Sequence, residues 1–173
     1  MRTLDRDRTA LVVVDVQEAF RPAVQGFDDV VENTRRLMEG AKILGIPVVV
    51  TEQYPKGLGR TVEELGEVSP VEKSCFSAAR ADGFDLDGRD QALVCGIETH
   101  VCVSQTAHDL LERGVEVHVA TDAVTSRSDA NRDVGLHKME QSGAIVTSVE
   151  TALFELLGEA GTEEFKKVQG LVK

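Results

Sequence analysis

The sequence predicts a three-layer α/β/α fold with a mostly parallel central sheet. Three observations carry that expectation. Short apolar runs alternate with segments of helical period along the chain, the runs are near-continuous in Val, Ile and Leu, and helical segments close at a glycine. Strands without a polar face are covered on both sides, and strands separated by helices pair in parallel. With 173 residues, 42% of them hydrophobic, the chain can bury one sizeable core, and a single domain over residues 1–173 is expected.

Residues 10–15, ending Val12-Val13-Val14-Asp15, form the first strand candidate. Val30, Thr34, Leu37, Ala41 and Leu44 then recur at helical intervals, and Gly45 stops that helix before a second strand at residues 46–50, which makes a βαβ unit. Residues 51–90 are irregular: Thr51-Glu52-Gln53-Tyr54-Pro55-Lys56-Gly57-Leu58-Gly59 follows the second strand, and only the apolar flanks of Lys73 hint at a short strand. Residues 91–95 form the next strand, which runs into a tight turn and a helix marked by Val103, Ala107 and Leu110, with Gly114 beyond it. A strand at 115–119, a helix from about Asp129 to Ser142 closed by Gly143, and a strand at 144–147 complete the alternation. The last helix candidate, Thr162 to Val168, puts Phe165 and Val168 on one face.

The net charge of −11 repels phosphate backbones and anionic lipid, so neither nucleic acid nor a membrane is expected as partner; a small molecule is. The first eight residues are too charged for a signal peptide, and no apolar run approaches the roughly 20 residues of a membrane span, which predicts a cytoplasmic protein. Cys75, Cys95 and Cys102 are odd in number and lack CxxC spacing, which argues against a disulfide framework or a zinc knuckle. His100, His108, His118 and His137 show no HxH or HExxH spacing, and the glycines near Tyr54 form neither GxGxxG nor a P-loop. No metal and no cofactor is inferred.

Long loops at the carboxyl ends of parallel strands line ligand crevices, and Asp15, Glu52, Gln53 and Glu98 all fall there. Asp15 is either an acid capping the turn after its strand or a carboxylate at the crevice floor that shuttles protons. Lys73 reads by default as a solvated surface lysine. Cys102 is either a small core residue or a nucleophile. Thr99 three residues earlier is a suitable N-cap, which would place Cys102 in the first helical turn beside free N–H groups. Cys95, inside a strand, reads as core; Cys75 either packs or lines the pocket. His100 alone among the histidines could face the cleft.

Taken together, Val-Val-Asp-Val-Gln at Asp15, Glu-Lys-Ser-Cys-Phe-Ser-Ala at Lys73 and Cys-Gly-Ile-Glu-Thr-His-Val-Cys-Val at Cys102 resemble the isochorismatase-like cysteine hydrolase superfamily. The similarity spans residues 9–148, and the segments at 51–59 and 125–128 resemble its isochorismatase domain-containing branch. The resemblance implies a catalytic triad of Asp15, Lys73 and Cys102, and a non-proline cis peptide at Ile97–Glu98. It also implies an oxyanion hole from the backbone N–H groups of Glu98 and Cys102. Metal-binding nicotinamidases carry Asp-x-His after the second strand, where this chain has Thr51-Glu52-Gln53; true isochorismatases lack the nucleophilic cysteine.

The expected activity is therefore metal-independent cleavage of a small amide, imide or ureide C–N bond through a thioester on Cys102. Phe20, Gln53, Tyr54, Phe76 and His100 would rim the pocket. Two alternatives stay open: a binding module with a vestigial triad, and vinyl-ether hydrolysis by Asp15 as acid. Relatives also imply a homo-oligomer, dimer or larger.

Overall fold

The computed structural model describes residues 3–173. Six strands form one sheet: β1 (Thr9–Val14), β2 (Val48–Gln53), β3 (Val71–Lys73), β4 (Gln91–Ile97), β5 (Glu116–Thr125) and β6 (Ile145–Thr147). Their order is β3-β2-β1-β4-β5-β6 and every pairing is parallel, so the sheet is wholly rather than mostly parallel. The helices are α1 (Phe27–Leu44), α2 (Pro55–Leu58), α3 (Ser104–Glu112), α4 (Asp129–Gln141), α5 (Val149–Leu157) and α6 (Glu163–Val172).

Alternation along the strands separates two cores. Leu11 and Val13 of β1 and Leu93, Cys95 and Ile97 of β4 face Leu37, Ala41 and Leu44 of α1 and Leu153 and Leu156 of α5. Ala10, Val12 and Val14, with Ala92 and Val94, face Ala107 and Leu110 of α3 and Met139 of α4. Each buried Leu or Val contributes on the order of 1.5–3 kcal/mol, and a sheet apolar on both faces is stable only between two such layers. Gly45, at φ 69°, ends α1 as expected.

The sequence pattern did not mark α5. Its apolar stripe, Val149, Ala152, Leu153 and Leu156, follows a capping serine whose Oγ accepts the Thr151 N–H at 3.1 Å. Leu153 seats against Gly40 of α1, where a Cβ would lie 2.3 Å from Leu153 Cδ2. Strand β2 extends to Gln53 because its polar end pairs with β3, Thr51 with Val71 and Gln53 with Lys73. Likewise β5 continues to Thr125 past an irregularity opposite Val94–Gly96.

The strand order reverses between β1 and β4. In a parallel sheet the crevice lies beyond the carboxyl ends at that switch point. Here β1 hands over to Asp15 and β4 to the turn that carries Cys102. Close approach of those strands requires Gly96, since a Cβ there would lie 2.0 Å from the Val14 carbonyl oxygen, at a φ of 122°. Among the described residues, no helix is long and apolar enough to cross a membrane.

Candidate active site

Asp15 follows the last residue of β1 and takes a left-handed backbone, φ 53°, which aspartate tolerates better than most residues. Its carboxylate is fully buried. One oxygen accepts from Thr51 Oγ1 at 2.7 Å and the other from Lys73 Nζ at 2.7 Å. A buried carboxylate of this kind is stable only when paired and hydrogen-bonded.

Lys73 is not the solvated lysine that its residue type alone suggests. It ends β3 with its side chain entirely buried, and Nζ also reaches Gln53 Oε1 at 2.7 Å and the carbonyl oxygens of Phe76 at 3.0 Å and Cys75 at 3.3 Å. An ammonium has three N–H groups, so these four acceptors, Asp15 included, engage all of them. Gln53, expected at the pocket rim, instead lies inside: its Oε1 holds Lys73 and its Nε2 donates to the Ser74 carbonyl at 2.9 Å. Behind it stands Gln17, fully buried, which accepts the Gln53 N–H at 2.8 Å and donates to the Gln53 and Gly59 carbonyls at 3.1 and 2.7 Å.

Cys102 is 5% exposed, and its thiol feels the charges of both Asp15 and Lys73. Burial pushes its thiol up to about 12, the Asp15 charge adds to that, and Lys73 opposes it. That direction favours a neutral thiol over a preformed thiolate. The segment bearing it differs from the expected capped turn. The Ile97–Glu98 peptide is cis, Thr99–Val103 winds as a π-helical turn, and Glu98 rather than Thr99 is the capping residue. The Glu98 carbonyl accepts the N–H groups of Val101 and Val103 at 3.1 and 3.2 Å, while Thr99 Oγ1 is buried without a partner. Wide turns of this sort occur at functional sites.

Glu98 is held from outside. Its carboxylate accepts from Arg127 N, Nε and Nη2 at 2.9, 3.0 and 2.7 Å, and that contact keeps its carboxyl below the usual range against the opposing effect of burial. Glu52 does not emerge in the crevice. It is buried and holds Arg60 at 2.9 Å and the Thr61 N–H and hydroxyl at 2.6 and 2.8 Å, which anchors the loop after α2.

The other expected pocket residues separate. Tyr54, at φ 37°, and Phe76 are 59% and 52% exposed. Phe20 packs against the α1-side core. His100 lines a groove between α3 and α4 that none of Asp15, Lys73 and Cys102 lines, with Nδ1 3.0 Å from Ser126 Oγ. Gly135 of α4 packs closely against its backbone, where a Cβ would lie 2.9 Å from His100 Cα. Cys95 is fully buried, and burial pushes its thiol up to about 12. Cys75 is half-buried and donates to the Ser77 carbonyl at 3.3 Å. Among the described residues, no three His, Cys, Asp or Glu side chains form a group that could hold a metal ion. Thr51 and Gln53, at the place of the nicotinamidase ligands, engage Asp15 and Lys73 directly.

A three-layer α/β/α fold around a wholly parallel six-stranded sheet is the architecture of the isochorismatase-like hydrolases. The sequence model of the isochorismatase domain matches residues 9–151, and the chain belongs to that family. Isochorismatase domain-containing protein 2 of Bos taurus is 46% identical, over 94% of this chain and 82% of that protein. Isochorismatase domain-containing protein 2A of Mus musculus is 44% identical, over 96% and 84%. The solved structure of a MAR1 ribonuclease from Caenorhabditis elegans superposes with a TM-score of 0.90 at 42% identity, covering 98% of this chain and 92% of that one.

Proposed function

We propose that the protein is a metal-independent cysteine hydrolase that cleaves a small amide, imide or ureide through a thioester on Cys102. The observation that carries this reading is a fully buried Asp15–Lys73 ion pair at the sheet's switch point, with the buried Cys102 thiol under the charge of both.

In the proposed cycle, Asp15 takes the Cys102 proton as sulfur attacks the substrate carbonyl, forming the S–C bond. The oxyanion sits against the N–H groups of Glu98 and Cys102. Asp15 then gives the proton to the leaving nitrogen, the C–N bond breaks, and the thioester remains. Water, deprotonated by Asp15, attacks that thioester; the S–C bond breaks and the proton returns to sulfur. Lys73 keeps its proton throughout. With all its N–H groups engaged inside the protein, it acts by charge, lowering the cost of the thiolate that forms in the attack.

The C. elegans relative is called a ribonuclease. For this chain RNA is the weaker reading, because its net charge of −11 repels a polyanion and Lys73 has no N–H to offer a phosphodiester. We also propose a homo-oligomer, since Tyr54 and Phe76 leave two aromatic faces open beside the site; light scattering on the purified chain tests it.

The decisive assay is a panel of small amides, imides and ureides, followed by amine or ammonia release, with isochorismate and RNA alongside. Turnover of a C–N substrate that vanishes in Cys102→Ala supports the proposal. Isochorismate cleavage that survives in Cys102→Ala but is lost in Asp15→Asn would replace it with vinyl-ether hydrolysis, and a panel without any Cys102-dependent product would favour a binding module.

A further inference from the structure

Helix α3 starts immediately after the turn that bears Cys102, and one of its faces grips the loop that surrounds Lys73. Thr106, fully buried, donates through Oγ1 to the Cys102 carbonyl at 2.7 Å and accepts the Ala78 N–H at 2.8 Å. One turn on, Asp109 accepts from Arg80 Nε and Nη2 at 2.6 and 2.7 Å. One turn further, just past the helix, Arg113 Nη2 donates to the Ala79 carbonyl at 2.5 Å. These three residues lie at i, i+3 and i+7, which is one side of a helix. The opposite end of the same loop supplies the Cys75 and Phe76 carbonyls that accept from Lys73 Nζ.

We infer that Thr106 is a positioning residue of the site: its hydroxyl joins the backbone of the nucleophile to the loop that cages Lys73, so that sulfur and ammonium are held in one frame. This rests on the cysteine-hydrolase reading above. A threonine hydroxyl that bonds back to the i−4 carbonyl is ordinary in a helix. What sets Thr106 apart is the second bond. The hydroxyl's acceptor site takes an N–H from a segment 28 residues away, two residues along the chain from the Phe76 carbonyl. The Arg80–Asp109 pair holds the same loop from outside, but Arg80 is 66% exposed, so solvent screens it and the buried hydroxyl dominates.

Loss of the hydroxyl leaves the Ala78 N–H and the Cys102 carbonyl without their partner and lets the caging carbonyls drift from Nζ. The test follows the Lys73 ammonium protons of the full chain by 1H–15N NMR, which needs no substrate. Exchange with solvent is expected to be slow in the wild type and in Thr106→Ser, which keeps the hydroxyl. In Thr106→Val and Thr106→Ala it should be roughly tenfold faster or more, while Cys95 stays protected from alkylation, reporting an intact sheet. Exchange within about twofold of wild type in either folded variant, or no restoration in Thr106→Ser, overturns the inference. So does loss of Cys95 protection in both Thr106→Val and Thr106→Ala, which would make Thr106 a residue of the fold alone. Amide turnover surviving in Cys102→Ala would defeat the hydrolase reading and leave this exchange result untouched.

Discussion

Removing the Lys73 ammonium should be far more damaging than removal of a lysine usually is. In Lys73→Met the carboxylate of Asp15 stays fully buried with its one charged partner gone, and Gln53 Oε1 and the Phe76 carbonyl lose their donor. Breaking a buried pair from one side costs about 3–5 kcal/mol, against a total stability of roughly 5–15 kcal/mol for a domain. At about 2–4 °C per kcal/mol for a chain of this size, the melting temperature falls by roughly 6–20 °C. Adding Asp15→Asn removes the stranded charge while keeping the acceptor for Thr51 and a residue at ease at φ 53°. The double variant should therefore recover about 2 kcal/mol or more. Urea denaturation of the wild type, both single variants and the double variant closes the cycle. A loss below about 1 kcal/mol in Lys73→Met, the range of a surface ion pair, with no coupling to Asp15, would mean that Asp15 does not depend on the lysine charge.

The Cys102 thiol, pushed up to about 12 by burial and the Asp15 charge, should be alkylated by iodoacetamide ever faster through the alkaline range, with no plateau near neutrality. Its profile should move to lower pH in Asp15→Asn and to higher pH in Lys73→Met; a neutral-pH plateau would mean a preformed thiolate. Gly135→Ala, in the interior of α4, would ordinarily gain about 1 kcal/mol of helix propensity. Here the new methyl meets His100 and Thr99 backbone at 2.9–3.0 Å, so denaturation should show a loss of about 1–3 kcal/mol, and turnover should fall with it. Arg127→Gln releases Glu98, whose carboxyl Arg127 holds below its usual range. A depressed carboxyl contributes stability above its unfolded value and loses it as pH falls through the folded one. The deficit of the variant, about 1 kcal/mol or less because Arg127 is 66% exposed, should be present at pH 7 and shrink in acid.

The sheet was legible because fully buried strands write themselves as Val/Ile runs, and α1 because its apolar spacing and Gly45 agree. The short edge strand β3 was barely visible: three residues with one buried side chain carry no period. For α5, the signal lay in Ser148 and the stripe Val149, Ala152, Leu153 and Leu156, a short helix directly after the three-residue strand β6. Asp15 stood out at the end of an apolar run and Cys102 in the turn after another, each with a packing or capping reading beside the functional one. Lys73 did not, since nothing local distinguishes a buried lysine from a solvated one; only similarity to a family singled it out. The misplacement of Gln53 has the same cause: whether an amide rims a pocket or braces a lysine depends on a partner 20 residues away. The side chains of Gln17 and Thr51 bond only to residues 36 or more positions away, and Thr106 adds to its local bond with Cys102 one to Ala78, 28 positions away. Thr99 misled because a local capping rule cannot anticipate the π-helical turn that follows Glu98.

That Cys102 carries the acyl group is tested most directly by mass spectrometry of the protein during turnover of a slow C–N substrate or a small activated ester. The expected result is a mass increase equal to the acyl group, mapped to the Cys102 peptide, released by hydroxylamine and absent from Cys102→Ala. Steady turnover without any adduct, or with full activity in Cys102→Ala, would contradict it.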